Sequence, residues 1–150
     1  MKLRSLLTHA AAAAAGISAT LLVTSGALGP ALGPLAQAQP APGQRSTDVF
    51  KMVMADVLGR EMRIRLIERD PGNGSAAHRH PCCHTFGYVI EGTYEFKVDN
   101  EPVRQLKAGE VFYEPPNALH AVSRNPSTTE KVKYLAIQVA DPTKSALVNE

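Results

Sequence analysis

The sequence has no tryptophan, no internal repeat and little net charge, and these absences narrow what the protein can be. Its 150 residues include 16 basic and 14 acidic ones, which gives a formal net charge of +2. No basic stripe stands out from this balance, so we expect no binding to nucleic acid. Beyond the N-terminal region no segment holds a long helical period, and this favours a β-protein.

The N-terminal region has the three parts of a secretory signal peptide. Lys2 and Arg4 form a basic head, an alanine-rich apolar stretch runs from Ala10 to about Leu28, and Ala36-Gln37-Ala38 is an A-x-A cleavage site. The alternative is a membrane anchor, but glycine, serine and threonine interrupt a stretch that would need about 20 mostly apolar residues. The region has no adjacent arginine pair and no cysteine near the junction, so it lacks twin-arginine and lipoprotein signals.

Cleavage after Ala38 predicts a formally neutral exported domain. The leader takes two of the 16 basic residues with it, which leaves 14 basic and 14 acidic residues. We expect residues 1–38 to form the signal peptide, residues 39–47 a linker and residues 48–150 a single domain. The mature protein is then predicted to be periplasmic or secreted, without a membrane anchor.

The pattern after the linker indicates short strands. Polar and apolar residues alternate from Glu61 to Arg69, which places Met62, Ile64 and Leu66 on one face of a strand. Turn residues separate the other apolar runs. These predicted strands are Phe86–Glu91, Thr93–Val98, Val103–Leu106, Val111–Tyr113, Leu119–Ser123 and Val132–Val139. Many short strands at regular turn spacing indicate a sandwich or a barrel.

Histidine is scarce, and its placement suggests a metal site. Outside the leader there are four histidines, three of them in His-Arg-His-Pro-Cys-Cys-His at residues 78–84 and the fourth after a Pro-Pro turn. His78 and His80 are two residues apart, so on an extended strand both imidazoles project from one face and can bind one ion. A His-x-His pair alone is unremarkable. The single later histidine, His120, makes the combination informative because it can complete the pair.

These residues resemble the two motifs of the cupins. The first motif is matched by Gly74, His78-Arg79-His80 and Tyr88-Val89-Ile90-Glu91-Gly92, and the second by Gly109, Pro115 and His120. The resemblance extends from about Val49 to Val139. It implies an all-β, double-stranded β-helix of the jelly-roll type, with a divalent metal inside the barrel near one mouth. It also implies a homodimer that exchanges edge strands, which would protect open sheet edges.

The resemblance also implies metal ligands. His78 and His80 match the family's paired ligands, and His120 matches the ligand of the second motif. The family's fourth ligand is usually a glutamate a few residues after the pair, and this sequence has none there. Counting forward from His80 gives His84, whereas counting back along the strand from Gly92 gives Thr85. We expect His84 to take the position; three histidines with open positions are the alternative.

Glu114 is the candidate acid near this site. It lies six residues before His120, where it would serve as a general base or as a partner that orients a ligand; the alternative is an exposed acid in a turn. The adjacent pair Cys82 and Cys83 leaves three possibilities open. The two residues form a vicinal disulfide, remain a thiol pair beside the metal, or are simply small residues in a turn.

The predicted ligands restrict the metal only loosely. Iron, manganese, zinc, copper and nickel all accept imidazole ligands. Histidines without a carboxylate leave the charge of the ion uncompensated, which favours an anionic ligand or metal-bound hydroxide. The resemblance implies a metal-dependent enzyme acting on a small organic molecule, similar to quercetinase-like and other dioxygenase-type cupins. The alternative is a non-catalytic exported protein that binds a metal or a small anionic ligand.

Overall fold

The computed structural model describes residues 43–150, which form two antiparallel five-stranded sheets. The predicted signal peptide lies outside the described residues. The strands are β1 (Gln44–Val53), β2 (Glu61–Arg69), β3 (His78–Arg79), β4 (Cys83–Glu91), β5 (Thr93–Val98), β6 (Arg104–Lys107), β7 (Val111–Glu114), β8 (Leu119–Arg124), β9 (Val132–Ala140) and β10 (Val148–Asn149). Within this part of the chain, no helix is both long and apolar enough to span a membrane.

The strands interleave along the chain. Sheet A has the order β1-β2-β9-β4-β7, and sheet B has the order β10-β3-β8-β5-β6. Strands that are neighbours in space are mostly distant in sequence, so the chain passes back and forth between the two sheets. This arrangement confirms the predicted all-β jelly roll.

Several strand boundaries differ from the prediction by one residue, and the starts of β1 and β4 differ by more. β1 begins at Gln44, within the segment predicted as linker and ahead of the predicted domain start at residue 48. β4 begins at Cys83 rather than Phe86, because its pairing with β9 continues as far as the Cys83–Ala140 pair. The second difference fixes which side chains after His80 face inward.

The core between the sheets is aromatic. Tyr94 and Phe96 of β5 are fully buried and pack against Phe112 of β7 and Tyr134 of β9. The Tyr94 and Tyr134 rings stack with centroids 4.4 Å apart, and the Phe96 and Phe112 centroids are 4.7 Å apart. Gly87 makes room for this packing, since a Cβ there would overlap the Phe112 ring. These rings fill the barrel beneath the predicted metal site.

Candidate metal centre

Sheet B brings three of the predicted histidines together. β3 is only two residues long, but it places His78 directly opposite His120 on β8. One ring nitrogen from each of His78, His80 and His120 lies within 4.8 Å of the others. His78 and His120 are buried and His80 is partly buried. The three imidazoles therefore form a compact group at one end of the barrel.

Hydrogen bonds orient two of these imidazoles for metal binding. His78 Nδ1 donates to the carbonyl oxygen of Ala76 at 2.8 Å, and His80 Nδ1 donates to that of Ala146 at 2.6 Å. Because a carbonyl oxygen only accepts, the proton of each neutral ring is on Nδ1 and Nε2 keeps its lone pair. Metal-binding histidines are usually held in this way, with one nitrogen donating to the protein and the other free for the ion.

The surroundings of His78 keep it in the form that a metal needs. Burial is the largest cause that lowers the pKa of His78 to about 4; the hydrogen bond to the Ala76 carbonyl and the nearby Glu114 raise this pKa, and the neighbouring His120 and His80 lower it. His78 is therefore neutral at pH 7. A neutral imidazole offers its lone pair without first losing a proton.

Glu114 is buried in the same group rather than exposed in a turn. Its Oε1 lies 3.3 Å from Nδ1 of His120, and its Oε2 lies 3.8 Å from Nε2 of His80. Burial alone raises the pKa of Glu114, but the adjacent His120, His80 and His78 outweigh it and hold the pKa below its usual range. Glu114 is thus an ionised carboxylate at neutral pH, surrounded by imidazoles.

The unsatisfied groups at this site fit a bound cation. His120 Nδ1 is buried and lacks a hydrogen-bond partner among the described residues, although the Glu114 carboxylate is close by. In the same part of the chain, the ion-pair partners of Glu114 are the two histidines His80 and His120. Three imidazoles and one carboxylate are nitrogen and oxygen donors suited to divalent transition metals.

The structure does not bring His84 to this group. Side chains of β4 alternate between buried and exposed, with Cys83 and Thr85 inside and His84 outside. His84 Nδ1 lies 2.7 Å from the hydroxyl of Tyr113, and the two rings stack on the outer surface. The expectation that His84 occupies the fourth position is therefore not met by this geometry. Thr85, the alternative reached by counting from Gly92, faces the site.

Cys82 and Cys83 form a disulfide with each other. Both residues are buried, and they pack with Ala140 in a small apolar cluster. The described residues contain no free cysteine. Of the three possibilities left open by the sequence, the structure has the vicinal disulfide, and the sulfurs are not offered as thiolate ligands.

The wall of sheet A that faces the histidines is polar. Five residues pair in register across its five strands: Lys51, Arg63, Gln138, Thr85 and Glu114, here called the polar row. Gln138 is buried and donates to Thr85 Oγ1 at 3.3 Å. Gln138 and Arg63 are not among the site residues predicted from the sequence. Arg63 belongs to a strand in which polar residues alternate, whereas Gln138 stands near the end of a mostly apolar strand, and neither pattern shows which face is inside.

Comparison with known families agrees with this architecture. A family model described as "Cupin domain" matches residues 65–138, a range that includes His78, His80, Glu114 and His120. No curated protein sequence matches the chain.

Solved structures with similar folds are distant in sequence. A protein with a double-stranded β-helix domain from Klebsiella pneumoniae is 22% identical with a TM-score of 0.58, over 75% of this chain and 90% of that one. An oxalate oxidase solved with glycolate is 19% identical, TM-score 0.57, over 75% and 57%. A DMSP lyase from Ruegeria pomeroyi is 20% identical, TM-score 0.52, over 59% and 42%. This chain thus spans well under two thirds of both enzymes, and the likeness concerns the fold.

Proposed function

This chain belongs to the cupin superfamily, and from that premise we propose that it is an exported metal-dependent enzyme acting on a small organic molecule, of the dioxygenase-like type. The observation that carries the proposal is the group formed by His78, His80 and His120, whose ligand atoms lie within 4.8 Å of one another. A bound iron, manganese, zinc, copper or nickel ion would supply Lewis-acid or redox chemistry to a coordinated substrate.

The protein around the histidines supports binding of a polar substrate. Arg63, Gln138 and Thr85 lie side by side in the polar row and offer hydrogen-bonding groups on the wall opposite His78. The aromatic core packs directly against the histidines, with the ring centroids of Phe96 and His120 5.1 Å apart, so it would form the floor of such a site. The site therefore combines a floor of packed rings with a polar wall, and such placed polar groups orient a small ligand.

A second candidate is a non-catalytic protein that binds a metal or a small anionic ligand. It is favoured by the guanidinium groups of Arg63 and Arg65, which occupy alternate positions of β2 on the polar-row face and hold ion pairs with Glu61 and Asp48 that an anionic ligand would share. Guanidinium groups recognise carboxylates well. The similar oxalate oxidase was solved with glycolate, a small carboxylate, which illustrates such a ligand in this fold.

We propose that the partner of this chain is a second copy of it. The outer side of sheet A presents another set of residues paired across all five strands: Phe50, Ile64, Ile137, Phe86 and Tyr113, here called the apolar row. Phe50, Phe86 and Tyr113 are exposed. A broad apolar surface of this kind is characteristic of an interface, and pairing of two such faces would cover both.

Export rests on the N-terminal sequence alone. The basic head, apolar stretch and A-x-A site support cleavage after Ala38. Expression of the full chain in a bacterial host, followed by N-terminal sequencing of the fractionated protein, tests this. A mature protein beginning at Gln39 outside the cytoplasm is expected, and an intact N-terminus in the cytoplasmic fraction would overturn the export proposal.

Metal analysis of the untagged protein tests the central proposal. We expect about one transition-metal ion per chain after purification under metal-replete conditions, and absence of stoichiometric metal would refute the proposal. Oxygen uptake with flavonols, catechols and β-diketones then separates the two candidates. Turnover with one of these classes supports the enzyme. A metal-loaded protein inactive toward all of them, but binding small carboxylates, supports the binding protein.

A further inference from the structure

The family's missing carboxylate has a counterpart on the neighbouring strand. The position that usually holds a glutamate falls on Thr85, which is buried and faces the histidines. In the antiparallel pairing of β4 with β7, the residue directly opposite Thr85 is Glu114. Side chains of directly opposed residues have Cβ atoms about 5 Å apart and project from the same face. Glu114 therefore reaches the same space from the other strand.

We propose that Glu114 is the fourth metal ligand of this chain, a carboxylate that stands one strand away from the family's usual position. The inference rests on the proposed function, because it presupposes an ion held by His78, His80 and His120. This assignment differs from the expectations from the sequence, in which Glu114 is a general base or orients a ligand and His84 is the fourth ligand.

The distances are those of neighbouring ligands around one ion. Two nitrogen or oxygen ligands held about 2.1 Å from a zinc ion at the tetrahedral angle lie about 3.4 Å from each other. Glu114 Oε1 is 3.3 Å from His120 Nδ1, and Oε2 is 3.8 Å from His80 Nε2. The contact with His120 lacks the geometry of a hydrogen bond, since that nitrogen is left unsatisfied. A shared cation would satisfy both atoms.

The charge environment of Glu114 differs from that of the other buried carboxylates. Glu61 pairs with Arg63 and Lys51, and Glu95 pairs with Arg124. Among the described residues, Glu114 instead has ion pairs only with histidines. A buried anion without a permanent cationic partner is costly. A divalent ion held by Glu114 and three neutral imidazoles removes that cost and leaves a net charge of about +1 on the site.

Zinc affinity of a charge-neutral variant tests the assignment. Apo-protein carrying Glu114→Gln is titrated with Zn²⁺ against a chromophoric chelator, beside wild type and Glu95→Gln, which neutralises a buried carboxylate away from the histidines. Loss of a partner that only orients a ligand weakens metal binding by about 10- to 100-fold. We expect Glu114→Gln to exceed that range and Glu95→Gln to stay within about threefold of wild type. Circular dichroism of each apo-protein verifies the fold.

A transplanted carboxylate separates ligation from indirect effects. The single variant Glu114→Thr should lose affinity, and the double variant Glu114→Thr with Thr85→Glu should regain at least about tenfold, because position 85 faces the same space. A residue that acts only by orienting His120 would not be replaced from β4. The visible spectrum of the Co²⁺-loaded proteins provides a second readout, with the double variant closer to wild type than Glu114→Thr is.

The outcomes distinguish this inference from the proposed function. If wild type binds no Zn²⁺ or Co²⁺, the proposed metal site fails and the inference fails with it. If wild type binds the ions and Glu114→Gln loses no more than about 100-fold in affinity, the ligand assignment is overturned while the three-histidine site stands. Loss in both Glu114 variants with recovery in the double variant supports the assignment. Loss without recovery means that a glutamate at position 85 cannot replace Glu114 as a ligand. That result overturns the proposal that the family's carboxylate stands one strand away from its usual position in this chain.

Discussion

Two rows of residues one position apart in sheet A have opposite chemistry. The polar row, Lys51-Arg63-Gln138-Thr85-Glu114, crosses the sheet on the side of the histidines. The apolar row, Phe50-Ile64-Ile137-Phe86-Tyr113, crosses the same five strands on the other side. In an ordinary one-sided sheet the apolar residues face the core and the polar ones face water. At this end of the barrel the two are reversed.

The reversal supports the proposed metal site and the proposed dimer interface. Gln138, Thr85 and Glu114 of the polar row are buried, which is costly unless their polar groups are paired with each other or with a ligand. Glu114 lies against the three imidazoles. An apolar row outside is costly in water unless another surface covers it. The inner row therefore supports a metal and substrate site, and the outer row supports self-association. Variants on each row should affect one property and leave the other unchanged.

The largest expected effect comes from removing a histidine opposite the polar row. His78→Ala deletes a buried imidazole whose Nε2 lone pair is free for the ion, so Zn²⁺ affinity should fall by more than about 100-fold. Competition titration of the apo-protein measures the change, and the melting temperature reports the fold. Added Zn²⁺ should raise the melting temperature of wild type but not of the variant. Equal stabilisation of both proteins would remove His78 from the ligand set.

A charge in the apolar row should break self-association and spare the metal site. Phe86 is exposed, stacks on Tyr113 with centroids 5.0 Å apart and pairs with Ile137 at the middle of the outer face. Phe86→Glu would place two buried, unpaired carboxylates in a symmetric interface, so the dimer should dissociate into monomers. Sedimentation velocity across a concentration series measures this.

Val103 provides the matched control for the interface. It is an exposed apolar residue outside the two rows, so Val103→Glu should leave the oligomeric state unchanged. Zn²⁺ affinity should be the same in both variants and in wild type. A wild-type chain that sediments as a monomer at every concentration would show that the apolar row is not a homodimer interface.

The sequence predicted strands well but not which face of a strand lies inside. Alternation correctly grouped Met62, Ile64 and Leu66, and the structure places them on the outer side with Ile64 in the apolar row. A period of two separates two faces without saying which one meets the core. That choice depends on the partner sheet, whose histidines are far away in sequence.

The same limit applies to Glu114, His84 and Thr85. The sequence predicts a strand that ends at Tyr113, with the exposed turn as the alternative place for Glu114, whereas β7 extends through Glu114 and buries it. One further residue of strand decides between an exposed and a buried carboxylate. Counting back from Gly92 reaches Thr85, which is buried on the inner face, whereas counting forward from His80 crosses a turn and reaches the exposed His84. A count along the sequence does not show how many residues the turn takes before the strand begins at Cys83.

A smaller effect is expected at Gly87, next to Phe86 in the chain but on the other face. A methyl group there would overlap the Phe112 ring, so Gly87→Ala should force the ring to shift and lower the free energy of unfolding by about 1–3 kcal/mol. Urea unfolding of the apo-protein measures the change. Oligomeric state should be retained, in contrast to Phe86→Glu. A stability equal to that of wild type would mean that Phe112 moves without cost.

The smallest expected effect is at His84, and it is the sharpest test of the two faces. His84 lies on the outer side with Tyr113, one residue from the inward-facing Thr85. His84→Ala removes a surface imidazole and its contact with the Tyr113 hydroxyl, so Zn²⁺ affinity should remain within about twofold of wild type and stability within about 0.5 kcal/mol. The same titration used for His78→Ala makes the comparison direct. A loss comparable to that of His78→Ala would place His84 among the ligands and would require β4 to present the opposite face to the site. Because a strand alternates strictly, that result would also move Thr85 outward and remove the position from which a transplanted glutamate could reach the metal.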